Sequence, residues 1–432
     1  MKNRKALALI AILALVAAAC GGSDGGSDDA VVEVETTEAP ATTEAPTTTA
    51  APAPASDPLI LASLMPLSGD LASLGPGIAL GAALAVEQIN AAGGINGQPV
   101  QLIEGDSGCD GAVALTSLND VIAQGAQGVM GAACSGTSLA ILDTAIAAEV
   151  VMVSPSNTSP QFTKIDKKGF YARTAPSDLL QGDVLASLLV EDGVQTVSII
   201  SRADSYGRGL AEATAAAFEA AGGTVKTIVY HATDASEFTS EVTAVGKGGA
   251  DAIVGILFPE TGCGVLQPAF EQGLLDTPWY MTDGVKDAGL ASLCGLGTAL
   301  DGFKGTAPGS AAGEAKDAFE AAYAGVSADG SPTFIFAPQA YDAVMLMAIS
   351  AAANGVTGPE IASGLVAASS GGEKCIGVAC IALAADGVDV DYVGASGEIE
   401  LNAVGDPTAA TYDIWTTEGD TNPVLKSVDF GS

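Results

Sequence analysis

From Pro58 onward, short apolar runs rich in β-formers alternate with Ala-rich stretches of helical spacing. The pattern predicts strands over Leu59–Leu67, Val100–Glu104, Gly128–Ala132 and Val150–Val153, with helices such as Pro76–Ala92 and Gly111–Gln124 between them. The rhythm resumes with strands at Thr196–Ser201, Val225–Tyr230, Ala252–Leu257 and Trp279–Thr282. Alternation of this kind builds β-α-β units, and so parallel sheets in an α/β fold. The strands are nearly continuous apolar runs, which fits sheets covered on both faces. At 432 residues the chain is too long for one ordinary core and suits two lobes. A weak internal repeat agrees: Ala91-Ala92-Gly93-Gly94 precedes one predicted strand and Ala220-Ala221-Gly222-Gly223 another. One sheet falls before about Arg173 and a second after it. Helical stretches follow at 312–324, 333–354 and 358–369, with strand-like stretches near 397–401 and 411–416.

Ahead of this region stands a targeting segment. Lys2, Arg4 and Lys5 form a positive start, and residues 6–19 are continuously apolar, too short to span a bilayer as a stable helix. Ala17-Ala18-Ala19 then lead into Cys20. The order resembles the lipobox of bacterial lipoproteins, with Ala17 where Leu is usual. The resemblance implies a signal peptide over 1–19 and a diacylglycerol on Cys20. After Cys20, residues 21–57 are Gly, Ser, Asp, Thr, Glu, Ala and Pro apart from Val31, Val32 and Val34, and include TTEAP at 36–40 and 42–46. So little there is apolar that the segment is expected to be a disordered tether.

The seven cysteines support export, because setting Cys20 aside leaves six, enough for three disulfides: Cys109, Cys134, Cys263, Cys294, Cys375 and Cys380. No C-x-x-C spacing points to zinc, and no metal or cofactor is expected. The net charge of −35 repels phosphate backbones and anionic lipid heads, which argues against nucleic acid and against membrane contact other than a lipid anchor. Gly75-x-Gly77 opens a helix after a strand, but Leu80 stands where a dinucleotide fingerprint needs its third Gly, so the glycines are expected to serve close packing. A Ser or Cys nucleophile usually needs a base. The single histidine, His231, ends a predicted strand and is expected at an edge or on the surface. The chain is not expected to be an enzyme.

Ligands of open α/β sheets sit outside the carboxyl ends of strands. Four such ends are rich in small polar groups: Ser68-Gly69, Cys134-Ser135-Gly136-Thr137, Ser154-Pro155-Ser156-Asn157-Thr158 and Asp283-Gly284. Ser135 to Thr137 lead into a helical stretch, whose free N–H groups would favour a carboxylate. Capping by Ser and Thr is the ordinary alternative.

Residues 58–432 resemble the branched-chain amino-acid-binding proteins of ABC transporters. The resemblance rests on PLSGDLASLGPGIALGAALAVEQINAAGGINGQPVQLIEGDSGCD, GAACSGTS, VSPSNTSP, ADSYGRGL and YMTDGV in that order. It implies the type I periplasmic-binding-protein fold: two doubly wound lobes with parallel-type sheets, 58–174 plus 307–409 and 175–306 plus 410–432. Three crossovers would join them near Arg173–Pro176, Gly305–Ala307 and Ala409–Thr411. It further implies a Cys109–Cys134 disulfide beside the cleft. The four other cysteines are additions to the family pattern; Cys263–Cys294, which flank the strand Trp279–Thr282, and Cys375–Cys380, which close a very short loop, are the expected pairs. Ser135, Ser156 and Thr158 match residues holding the carboxylate and amino group of a ligand. Tyr206 matches an aromatic of the second lobe, and Asp283 the acid that meets the ammonium. Leu74 and Leu257 stand where relatives often have Tyr. The expected role is capture by hinge closure, outside the cytoplasmic membrane, for delivery to an ABC permease. A sensory receptor domain with a membrane partner is the rival role. Amides and urea-like solutes are rival ligands.

Overall fold

In the sheet nearest the N-terminus, strands whose every residue is apolar or small lie at the centre, and strands with mixed residues form the edges. The structure is a computed structural model that describes residues 57–235 and 237–430. The predicted signal peptide, Cys20 and the tether through residue 56 lie outside the described residues.

The first lobe starts with β1 (Ile60–Met65), α1 (Gly75–Ala91), β2 (Gln101–Asp106), α2 (Gly111–Ala123) and β3 (Gly128–Gly131). It continues through α3 (Ser135–Ala147), β4 (Val151–Ser154), α4 (Gln161–Lys164) and β5 (Tyr171–Arg173). The sheet order is β2-β1-β3-β4-β5, all parallel. β3 and β4 are buried throughout, whereas the edge strand β2 is half exposed. The second lobe comprises α5 (Asp178–Glu191), β6 (Thr196–Arg202), α6 (Ser205–Ala220), β7 (Thr224–His231) and α7 (Thr239–Gly246). β8 (Ala252–Ile256), α8 (Pro259–Glu271), β9 (Trp279–Met281), α9 (Leu290–Leu293) and β10 (Lys304–Pro308) follow.

The chain then returns with α10 (Glu314–Val326), α11 (Ala337–Asn354), α12 (Gly358–Gly364), β11 (Glu373–Ile376), α13 (Ala379–Ala385), β12 (Val390–Gly394) and β13 (Gly397–Glu398). It closes with β14 (Ala410–Thr416) and β15 (Val424–Phe430). α11, a largely apolar helix, is buried from Ala337 to Ala351, its polar Gln339, Asp342 and Ser350 included. α1 packs on it so closely that a Cβ on Gly81 would lie 2.2 Å from the Ala337 carbonyl oxygen, and one on Gly77 would lie 2.5 Å from the Phe334 ring. The Gly75-x-Gly77 motif therefore serves packing.

Several features depart from the sequence pattern. The second sheet, ordered β15-β14-β10-β9-β8-β6-β7, is parallel only from β10 to β7, since β14 pairs antiparallel with both β10 and β15. Gly305–Ala307, expected as a crossover, lie inside β10, so the chain leaves this sheet only after Pro308. Their run of small residues (KGTAP) carries no β-branched stretch to mark a strand. Thr411 likewise sits inside β14, paired with Asp429. A third small sheet, β11-β12-β13, was legible only at β13, which falls within the strand-like stretch near 397–401; β11 and β12 are too short to show a pattern. His231 does end an edge strand, but it is fully buried beneath Phe238, with ring centroids 4.5 Å apart, and is not on the surface.

A buried ion pair ties two of the interlobe connections together. Arg173, at the end of β5, is fully buried; its Nε and Nη2 donate to Asp406, each at 3.0 Å, and its Nη1 donates to the carbonyls of Asn157 and Ser159. Asp406 stands just before β14. Three disulfides, Cys109–Cys134, Cys263–Cys294 and Cys375–Cys380, are present with Cα separations of 5.5, 4.9 and 5.3 Å, the pairing set out above.

Candidate functional site

The carboxyl ends of β3 and β4 in one lobe face those of β6, β8 and β9 in the other. Ser135 is the first residue of α3, and the first-turn N–H groups of a helix have no intrahelical partners. Ser156 follows β4 and donates its hydroxyl to the Ala133 carbonyl at 3.2 Å. Tyr206 lies in the first turn of α6, a helix capped by Asp204 through the Gly207 N–H at 2.9 Å. Asp283 begins a single 3-10 turn after β9. These four residues line one cavity with Leu71, Leu74, Ile78, Phe258 and Phe336. Thr158 is fully buried behind the wall and does not line the cavity.

The cavity has one polar end and one apolar side. At the polar end, Asp283 Oδ1 accepts from Gln181 Nε2 at 2.8 Å and from the Tyr206 hydroxyl at 2.9 Å. Burial pushes the Asp283 carboxyl up to about 6, against the pull of these two donors. Asp178, at the start of α5, is a second buried acid. Burial raises its pKa well above the usual range, and the charge of Asp283 raises it further. Its backbone N–H donates to the Thr158 carbonyl at 2.8 Å across the lobes. The Thr158 hydroxyl approaches the Asp178 carboxylate without meeting hydrogen-bond geometry. The Tyr412 hydroxyl is buried and unpartnered; burial raises its pKa well above the usual range, and both acids raise it further. Two neighbouring buried carboxylates with unfilled acceptor capacity favour a cation brought between the lobes.

The space is small, about 20 Å³, enough for about one water. The cleft is therefore shut, and anything larger must enter after the lobes part. A groove of about 320 Å³ lies elsewhere, between α10 and the third sheet. It is larger, but it lacks a convergence of buried, charge-perturbed groups such as the cleft has, and that convergence marks a binding site better than volume does.

Asp178, Gln181, Phe258 and Phe336 had no sequence signal. Asp178 follows the capping Ser177, so in the sequence it reads as an ordinary acid in a first helical turn. Leu257 is fully buried, and the ring at the cavity wall is that of its neighbour Phe258.

The periplasmic binding protein family pattern matches residues 58–374. An amino acid binding protein of Pseudomonas aeruginosa is 34% identical over 238 residues, covering 53% of this chain and 62% of that one, so the match spans less than two thirds of that relative. A leucine-, isoleucine-, valine-, threonine- and alanine-binding protein of the same organism is 29% identical over 304 residues, covering 68% and 78%. The solved branched-chain amino acid transporter substrate binding protein from Streptococcus pneumoniae, in complex with isoleucine, has a TM-score of 0.73 at 22% identity, covering 87% of this chain and all of that one. At that identity the likeness speaks for the fold.

Proposed function

The chain belongs to the periplasmic binding protein family, and from that premise we propose that it captures an α-amino acid with an apolar side chain and delivers it to an ABC permease. The observation that carries the reading is the cavity's polarity. The buried carboxylate of Asp283, backed by Asp178, suits an ammonium group, while Ser135 and Ser156 with the start of α3 suit a carboxylate. Leu71, Leu74, Ile78, Phe258 and Phe336 offer an apolar wall to the side chain. A ligand carrying a carboxylate but no amine would place its charge near two acids and is disfavoured. Urea and simple amides would leave the acids without a counter-charge.

Capture proceeds by hinge motion. The open form admits the amino acid, closure strips water from both ends of the zwitterion, and the closed form presents itself to the permease. The protein works outside the cytoplasmic membrane, held by a diacylglycerol on Cys20, a reading supported by the order of charged, apolar and small residues before that cysteine. Mass spectrometry of membrane-extracted protein is expected to find Cys20 as a diacylated N-terminus.

A thermal-shift panel of amino acids, amides, urea and aromatic carboxylates tests the ligand class. A ligand at a hundred times its Kd stabilises the fold by about 2.7 kcal/mol, so leucine, isoleucine or valine is expected to raise the melting temperature clearly. A rise with amides or aromatic carboxylates alone sinks the reading.

A further inference from the structure

The mouth of the cleft is crossed by an ion pair that has no part in the wall of the cavity. Asp70, in the loop after β1, belongs to the first lobe; Arg202, the last residue of β6, belongs to the second. Asp70 Oδ2 accepts from Arg202 Nη2 at 2.8 Å. The Arg202 side chain is 3% exposed and that of Asp70 is 23% exposed, so the pair is shielded on the arginine side only. Arg202 is held ready within its own lobe, where Nε donates to Asp204 at 2.6 Å and the guanidinium lies 3.7 Å from the centre of the Phe258 ring. That ring stacks on Tyr206 at 5.3 Å, and Tyr206 in turn bonds Asp283. Asp70 has no hydrogen bond other than this one among the described residues. The second lobe therefore fixes the cation, and lobe closure brings the anion to it.

We propose that Asp70 and Arg202 form the latch of the closed cleft, so that this pair sets how slowly a captured ligand leaves. The proposal rests on the capture reading above and adds residues that do not touch the ligand. The latch acts only after the lobes meet, because Asp70 and Arg202 lie on opposite sides of the cleft. It therefore affects dissociation and leaves first encounter largely unchanged. A partly shielded charge pair of this geometry is stronger than an exposed one, and part of its effect persists at physiological salt. Arg202 is a positioning residue: the Phe258 ring that forms part of the cavity wall also carries the cation of the latch.

Stopped-flow release of L-leucine from the full chain tests this. Asp70→Asn is expected to release L-leucine about ten times faster than the parent, with an association rate within about twofold. Asp70→Glu, which keeps the charge, is expected to recover most of the slow release. An Asp70→Asn release rate equal to the parent's, with L-leucine binding intact, overturns the latch and leaves the capture reading standing. If the parent binds none of the amino acids, the capture reading fails, and small-angle scattering of the unliganded chain decides the latch. A larger radius of gyration for Asp70→Asn than for the parent upholds it, and equal values overturn it.

Discussion

The Tyr206 hydroxyl donates to Asp283 Oδ1 at 2.9 Å while its ring stacks on Phe258, so one side chain serves both the polar end and the apolar side of the cleft. The same hydroxyl lies 2.9 Å from Thr282 Oγ1, and Gln181 supplies the second donor to Asp283 Oδ1. Asp283 is therefore aimed by two second-lobe donors, Tyr206 and Gln181, the first of them bonded to Thr282 as well, before any ligand arrives.

If Asp283 meets an ammonium, Asp283→Asn removes the charge and keeps the shape. Hydrogen bonds to charged groups contribute about 1.5–3 kcal/mol, so amino-acid affinity is expected to fall by about one to two powers of ten. Calorimetry reads the loss. Unchanged affinity with a lower melting temperature would mean that Asp283 only holds its own turn. Tyr206→Phe removes one of the two donors and is expected to weaken binding less.

Binding and stability should move in opposite directions with pH. Asp283 and Asp342 are both pushed up to about 6, chiefly by burial, and Asp178 is raised as well, against an ordinary value of 3.8. Between about pH 4 and 6 the folded protein retains protons that the unfolded chain has released, so stability declines as pH rises through that window. Asp406, whose pKa is lowered with the help of Arg173, contributes stability that is lost only at more acid pH. The melting temperature is expected to be higher at pH 5 than at pH 7.5. Affinity for an ammonium ligand is expected to fall below about pH 6, where Asp283 takes up its proton. A parallel fall of both at pH 5 would contradict this assignment.

Asp406→Ala leaves Arg173 buried without its carboxylate, and Lys167, 3.6 Å from Asp406, loses the same partner. Breaking one side of a buried pair costs about 3–5 kcal/mol. Chemical denaturation should show that loss. A change under about 1 kcal/mol would mean that water or another group compensates the guanidinium.

The Cys109–Cys134 bridge spans 25 residues, and its second cysteine immediately precedes Ser135 at the start of α3. Replacing both cysteines with Ser is expected to cost about 3 kcal/mol on the chain-entropy estimate. It should also weaken ligand binding, because Ser135 loses its anchor. Denaturation and calorimetry on the same variant separate the two effects; unchanged stability would argue against a closed bridge in the parent.

Local chemistry made much of this protein legible in its sequence. Apolar runs of strand length must lie inside a sheet, and those at β3, β4 and β8 do so because no other environment shields them. Ser135, Ser156 and Asp283 could be singled out because each follows a predicted strand, where an open sheet exposes its carboxyl ends; Tyr206 came only from the family resemblance. Asp178 could not, since an acid in a first helical turn is ordinary until the fold sets it beside Asp283, which lies far along the chain. Nor could β10, whose small residues carry no pattern and become a strand by pairing with β9 and β14. The Asp70–Arg202 contact joins residues distant in sequence and exists only when two separately built lobes meet. Sequence therefore determined which segments are buried and which chain ends carry polar groups, since both follow from neighbouring residues. Tertiary structure alone decided which charges face each other, because burial and electrostatics act across space irrespective of chain order.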